Sequence, residues 1–466
     1  MAARKKRALT PEEQLEAAFV PEQECPYEIP TNWCWVKAGS LATIHRGVSY
    51  KKPDAHNNQS DNCVLILRGG NIEEGTIETE ADNIYVDKSL VAPNQYIRKG
   101  DIVIVASTGS TKVIGRAGIS DRDYTDVAFG AFLMLVRPTN MIQQKYLGYY
   151  FQSMYYRDRI RQLAAGVNIN NIRADYITDM PIALPPLHEQ RRIASRIEWL
   201  FAKLDDAEAE LREVIDSSKQ RQAAILHKAF TGELVSLGDD NERSRLHVPI
   251  RKVVSGLKYG TSEKSTYDNE GMPVLRIPNV SSLHVDLNDM KYLAHSDVKP
   301  ADMLQKGDIL MIRSNGSRDL VGRCAVVPTL EEEYTYASFL IRIRPSDRVD
   351  SKYLWYYLQS TDAKAQLFTK AKSSSGIHNI NSKEIGATIM PLPAMDKQHA
   401  IVQALDALFD SERDVLSTAT IALDRIRMTR ESVLNKALRG ELGTNDPSEA
   451  SSKELLASIM SGNADK

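Results

Sequence analysis

The chain holds only four cysteines in 466 residues, Cys25, Cys34, Cys63 and Cys324. None forms a CxxC pair or has a histidine at zinc-site spacing, so neither a disulfide framework nor a metal site is expected and the thiols should be free. No run of eighteen apolar residues occurs, which excludes a membrane-spanning helix. The start, Met1 to Arg7, lacks the apolar stretch that follows the basic residues of a signal peptide, and the expected location is the cytoplasm. An excess of one charge is missing too: 59 basic against 61 acidic residues leave a net charge of −2. That excludes a protein that coats nucleic acid through bulk charge, so any contact with phosphate must come from local patches. The basic run Arg4 to Arg7 is read as a solvated terminus rather than such a patch.

Catalytic signatures are absent as well. There is no GxxxxGK[ST] loop, HExxH, HxE with PCxxC, or GxSxG elbow. Nor is there the Asn/Asp-Pro-Pro-Tyr/Phe tetrapeptide of amino-methyltransferases. Leu184-Pro185-Pro186-Leu187 comes nearest but lacks both the amide and the aromatic. No catalytic residue is expected. Asp101 and Asp308, each after Lys-Gly and before a β-branched run, are read as turn caps rather than metal ligands.

What the chain does contain is itself, twice. Lys145, Tyr146, Leu147, Tyr149, Tyr150, Gln152 and Ser153 return as Lys352, Tyr353, Leu354, Tyr356, Tyr357, Gln359 and Ser360, always 207 positions on. The same offset relates Lys99-Gly100-Asp101-Ile102 to Lys306-Gly307-Asp308-Ile309, Gly115-Arg116 to Gly322-Arg323, and Arg137-Pro138 to Arg344-Pro345. A period this long is a duplicated domain, because solenoid repeats run to roughly 20–50 residues.

Proline and glycine vanish between Leu187 and Thr231 and again between Ala394 and Arg439. Apolar residues in both windows fall three, four or seven apart, as in Ile193, Ile197, Leu200 and Leu204, or Ile401, Leu405, Leu408 and Phe409. Each window predicts one helix of roughly 65 Å, capped by Gly232 or Gly440. A helix that long must bury its stripe against a partner of similar length, so an antiparallel pair is expected.

The expected fold is therefore α+β: two similar strand-rich domains separated by two long antiparallel, coiled-coil-like helices, with an internal pseudo-two-fold. The boundaries expected are 1–26 for an N-terminal extension and 27–186 for the first domain. The first helix takes 187–236, the second domain 247–393, the second helix 394–442, and a mostly disordered tail 443–466. Within the extension Thr10-Pro11-Glu12-Glu13 predicts a capped helix to about Phe19.

Three pairs of loops carry DNA-binding chemistry. Arg46, Tyr50, Lys51 and Lys52 combine cations, an aromatic and Gly47, and their counterparts are Lys258, Tyr259 and Lys264 beside Gly260. Ser107, Ser110, Lys112 and Arg116 match Ser314, Asn315, Ser317, Arg318 and Arg323, supplying hydroxyls, N–H groups and cations for phosphate and base edges. Asn170 and Asn171, in the string Gly166 to Asn171, match His378 and Asn379, and asparagine can bond adenine bidentately. The turns Arg68 to Asn71 and Arg276 to Asn279 complete the candidate set, with Arg68, Asn71, Arg276 and Asn279 as its side chains. Singly, each loop also fits a plain hairpin. The Tyr146, Tyr149 and Tyr150 spacing is helical, so those rings are read as packing rather than base stacking.

These residues resemble a known family. The duplicated arrangement, the Arg46 to Lys52 loop, Phe129-Gly130-Ala131-Phe132, Asn168 to Ile172, and Pro185-Pro186-Leu187-His188-Glu189-Gln190 are similar to the DNA-specificity subunit of type I restriction-modification systems. The resemblance spans about residues 27–442 and is closer in the first repeat. It implies two target-recognition domains, each reading one half of a split site in double-stranded DNA. It also implies two modification subunits that bring S-adenosylmethionine, and restriction subunits that use ATP and Mg, with no cofactor on this chain. Half-sites about one helical turn apart, roughly 10 bp, are expected. A coiled-coil scaffold that never touches DNA and an unrecognised enzyme are the competing readings.

Overall fold

The computed structural model describes residues 10–80, 83–165, 170–235, 246–268, 270–368, 373–374 and 377–462. The basic run Arg4 to Arg7 and the string Gly166 to Ile169 lie outside them. Two compact units emerge, one running to Glu210 and resuming at Ala422, the other from Leu211 to Ile421.

Each unit folds its repeat into the same sheets. In the first, four antiparallel strands lie in the order Ala42–Arg46, Leu133–Pro138, Ile102–Val105 and Ala117–Ile119. In the second the order is Val254–Tyr259, Leu340–Pro345, Ile309–Ile312 and Cys324–Val326. A three-stranded sheet accompanies each, with Cys63–Leu67 central in the first and Met272–Leu275 central in the second. The register is conserved as well, since Ile102 faces Val136 and Ile309 faces Ile343. Ile-Val-Ile-Val and Ile-Leu-Met-Ile are buried at every position because both faces of these central strands are covered.

The repeated tyrosines are packing residues, as their spacing implied. Tyr146 and Tyr150 are sealed in the first core and donate to the carbonyls of Ala183 (2.6 Å) and Pro181 (2.8 Å). Tyr353 does the same to Pro391 at 3.0 Å. Each ring thus buries a large apolar surface while its hydroxyl finds an acceptor. Asp101 and Asp308 take the turn-capping role, accepting from the N–H of Arg98 (2.7 Å) and Gln305 (2.8 Å).

The second long helix is continuous from Met395 to Leu438. The first is interrupted, running Leu187–Asp216 and then Ser218–Thr231, where a single helix was expected. The cause is local competition for carbonyls. Ser217 Oγ donates to Glu213 O at 2.6 Å, and Arg221 reaches back to Val214 O at 2.8 Å and to Ser217 Oγ at 2.5 Å. Gly232 ends the helix at φ 82°, a left-handed cap that a side chain would resist.

Within the first unit Arg430 reaches Asp205 (2.5 Å) and Glu208 (3.2 Å). Within the second, Arg221 holds Glu412 at 2.7 and 3.2 Å. Within each unit, taken by itself, rising numbers on one helical segment meet falling numbers on the other, so the segments pair antiparallel. Apolar stripes meet behind these pairs: Ile193 and Ile197 join Leu434 and Leu438 in one core, while Leu226 and Phe230 join Ile401 and Leu405 in the other. Each such side chain fully buried contributes about 1.5–3 kcal/mol before ordering costs.

Part of the tail expected to be mostly disordered is helical. Ser452–Gly462 is a helix that buries Leu456 and Ile459 in the first core. Asn445 Oδ1 accepts from Asn32 (3.2 Å) and the Trp33 indole (3.1 Å), and Glu449 pairs with Arg192 at 2.7 Å. Its polar composition concealed side chains that each have a partner on the first unit. The N-terminal helix, Pro11–Ala18, starts with the reciprocal Thr10 and Glu13 bonds expected of it.

Candidate nucleic-acid interface

In the first unit a four-residue turn between two strands gathers the candidate loops. Val48 donates to Phe129 O at 2.7 Å and accepts from the Ala131 N–H at 2.9 Å, which fixes the Arg46 to Lys52 loop on that turn. Gly47 is required there: a Cβ would fall 2.1 Å from the Gly130 carbonyl oxygen. On the other side Ala106 and Ser107 both donate to Phe132 O, at 2.9 and 3.0 Å. Ser107 then pairs with Asn171 and Thr108 with Asn170, so the hydroxyl and asparagine loops form one short ladder.

The second unit repeats this construction. Thr261 donates to Tyr336 O (2.9 Å), Ser338 donates to Thr261 O (2.7 Å), and Arg313 donates to Phe339 O (3.0 Å). Ser314 pairs with Asn379 and Asn315 with His378. Ile172 and Ile380, the residues after the asparagine strings, donate to Ala106 O and Arg313 O, each at 2.8 Å. Loops far apart in sequence thus converge, twice, on one turn.

Exposure divides the candidates. Arg46, Lys51, Lys52, Lys112 and Ser110 are exposed in the first unit, as is Asn171, while Tyr50 is half-buried beside Gly130. In the second, Lys264, Ser317, Arg318 and Asn379 are exposed and Ser314 and Asn315 are half-buried. Tyr259 is held in place: its hydroxyl accepts from the Ser382 N–H at 3.1 Å and the Arg313 guanidinium lies 4.6 Å from its ring centre. Burial works to raise this phenol, but the Ser382 hydrogen bonds and the Arg313 charge outweigh it and the net shift is downward.

Several candidates have other work. Asn71 and Asn279 are fully buried and cap their own turns, each accepting from the N–H of the arginine three residues earlier, at 2.7 and 2.8 Å. Their amides donate inward, Asn71 to Glu78 O and Asn279 to Asp286 O, so neither can present an edge to a base. Arg116 is drawn to Glu73 and Gly69 O, and Arg276 to Asp289. Lys258 pairs with Asp302 at 2.6 Å, and Arg323 bonds the carbonyls of Asp319 and Ser281. These side chains brace turns rather than project from them. Arg68 is half-buried at the start of the same kind of turn.

Two residues at the centre were not among the candidates. Phe132 and Phe339 are 69% and 57% exposed, on the very turn that collects the loops. The two are 207 positions apart like the other repeats. Among the described residues no group of three or more metal-binding side chains forms, and no helix is long and apolar enough to cross a membrane.

Two segments, residues 30–217 and 253–420, match the family model described as the type I restriction modification DNA specificity domain. The EcoKI specificity subunit of Escherichia coli is 32% identical over 89% of this chain and 90% of its own length. The StySPI specificity subunit of Salmonella potsdam is 29% identical over 93% and 95%. The fold is similar to a chain solved in a study of assembly and conformational transition of the type I R-M system, with a TM-score of 0.67, 20% identity and coverage of 90% and 100%. It is also similar to the HsdS subunit of Thermoanaerobacter tengcongensis, with a TM-score of 0.59, 18% identity and coverage of 90% and 100%.

Proposed function

Because this chain belongs to the family of type I restriction-modification DNA specificity proteins, we propose that each of its two units reads one half of an asymmetric, bipartite site in double-stranded DNA. The observation that carries this reading is the recurrence of one loop convergence, centred on turns 207 residues apart, with several of the exposed side chains differing between the copies, such as Lys112 against Arg318. A homodimer reads identical half-sites, whereas a fused and diverged pair can read two unlike ones.

Roles follow from exposure and chemistry. Arg46, Lys51, Lys52 and Lys112 in the first unit, and Lys264 and Arg318 in the second, are exposed cations suited to phosphate. Ser107, Ser110 and Asn171 in the first unit, and Ser314, Asn315, Ser317 and Asn379 in the second, offer the hydroxyls and amides that read base edges. The chemistry belongs to partners: two modification subunits that methylate with S-adenosylmethionine, and restriction subunits that use ATP and Mg. The paired helices hold the half-sites about one turn of DNA apart, roughly 10 bp. In this reading the chain selects DNA in the cytoplasm and transforms nothing itself.

A gel-shift panel with and without co-expressed methyltransferase subunits tests the proposal. Sequence-selective retardation is expected with the partners present. Replacing Arg46, Lys51 and Lys52 with alanine should weaken binding to all sequences and lower the slope of log K against log salt by about one for each phosphate no longer neutralised. A change in sequence preference alone would refute the phosphate assignment. No retardation under any condition would favour a scaffold that never touches DNA.

A further inference from the structure

Phe132 and Phe339 are large apolar rings left in solvent at the middle of a polar, cationic surface. Lone exposed apolar residues are common and need no explanation. These two differ because they recur at equivalent positions and because their backbone is tied down in the same way in both units. In each unit the preceding turn is closed by one hydrogen bond, Leu133 N–H to Gly130 O (2.8 Å) and Leu340 N–H to Ala337 O (2.9 Å). It is tied to the neighbouring sheet by a second, from Gly130 to Leu67 O and from Ala337 to Leu275 O, both 2.9 Å. The ring's own carbonyl accepts from the hydroxyl loop. Such bracing fixes the backbone that carries each ring, so its Cα–Cβ bond points the same way out of the turn in both units.

From this placement, and resting on the reading of each unit as a half-site reader, we infer that Phe132 and Phe339 make the apolar base contact of their half-sites, against a thymine methyl group in the major groove. The chemistry matches. Hydroxyls, amides and cations from the converging loops can satisfy base-edge donors and acceptors, but none complements the C5-methyl that distinguishes thymine. A phenyl ring does so and removes its own exposed apolar surface from water. Each unit supplies one ring, so each half-site contains one such position.

The test uses the complex with its methyltransferase subunits and a pool of duplexes of random sequence, from which bound molecules are selected and sequenced. Wild type is expected to enrich a bipartite sequence; failure to enrich any sequence would refute half-site reading itself, independently of the rings. Phe132→Ala is expected to lose a thymine preference at one position of one half-site, and Phe339→Ala at one position of the other. Affinity for the selected duplex should fall about tenfold, with affinity for random duplex unchanged. Deoxyuridine in place of that thymine should weaken wild type comparably and have no further effect on the variant, and Phe132→Leu should be intermediate. Selection of the wild-type sequence by both alanine variants would overturn the inference, as would equal losses on selected and random duplex. Loss of the methyltransferase subunits on co-purification would overturn it too, by assigning the rings to protein binding. Because both rings are exposed, thermal melting of the variants should match wild type.

Discussion

Arg137 grips Asp101 through two parallel hydrogen bonds, Nε to Oδ1 at 2.8 Å and Nη2 to Oδ2 at 2.6 Å. Arg344 holds Asp308 in the same way, both bonds at 2.7 Å. Asp101 and Asp308 are each only 1% exposed, so their charges depend on the guanidinium. Arg137→Ala should therefore cost roughly 3 kcal/mol, the penalty of stranding a buried charge. Removing both partners, Asp101→Asn with Arg137→Met, should cost less than Arg137→Ala alone. Urea unfolding of Arg137→Ala, of the double variant and of its two component singles checks this, and additive losses in the double variant would contradict it.

Thiol chemistry should separate the four cysteines by burial. Cys324 is sealed in the second core and burial pushes its thiol up to about 12; Cys34 is buried against Ser452 and is raised for the same reason. Cys25 and Cys63 are half-buried, and Cys25 is raised by burial and by Glu22 and Glu24. Since the thiolate is the reactive form and must be reached by the reagent, a disulfide reagent at pH 8 should modify the half-buried Cys25 and Cys63 ahead of the other two. Cys34 and Cys324 should respond only on unfolding. Peptide mapping of the modified sites provides the check, and Cys324 labelling as fast as Cys63 would rule out a closed second core.

Alkaline pH should loosen the fold through its tyrosines. Burial lifts Tyr336 from 10 to about 12, and its hydroxyl donates to Lys258 O at 3.2 Å. Tyr357 is likewise raised to about 12 by burial and donates to Ile389 O. The fold favours the protonated phenol, so this stabilisation is complete below pH 10 and is lost as pH climbs through 12. Melting temperature should be level from about pH 7 to 9 and then fall steeply. Tyr336→Phe should lower it at neutral pH and make the alkaline fall shallower. An equally steep fall in that variant would assign the transition to other groups.

How far the chain could be read follows from what its features depend on. Residues whose role is fixed by the repeat or by local spacing were legible: the Tyr146 and Tyr353 packing helices, the Asp101 and Asp308 turns, the Gly232 cap and both long helices. Features that depend on one side chain reaching another were not. The break at Ser217 needs Arg221 to capture Val214 O, and the C-terminal helix needs Asn445 and Glu449 to find Asn32, Trp33 and Arg192. Asn71 and Asn279 were misread for a chemical reason, because the amide that can read adenine caps a turn equally well. Phe132 and Phe339 carry no sequence signal of a binding role, even with Phe132 inside the Phe129 to Phe132 string, because a phenylalanine beside a strand reads as core; only burial distinguishes the two exposed rings.

The proposed spacing role of the helices is open to a direct geometrical test. Removing seven residues between Glu208 and Ser217 and seven between Glu412 and Arg430 leaves the residues of the Arg430–Asp205 and Arg221–Glu412 pairs intact. An α-helix is nearly in phase after a heptad, drifting by about 20°, so the apolar stripes still meet. The helix is shortened by about 10.5 Å at 1.5 Å per residue, which corresponds to roughly 3 bp of duplex at 3.4 Å each. Selection from random duplexes should then return the same two half-sites with the gap shortened by about that amount. Deleting three residues from each helix instead rotates the stripes out of register and should cost folding rather than change the gap. If the heptad-deleted chain folds, binds and keeps the original gap, the distance between half-sites is set elsewhere, and the paired helices serve only to join the units.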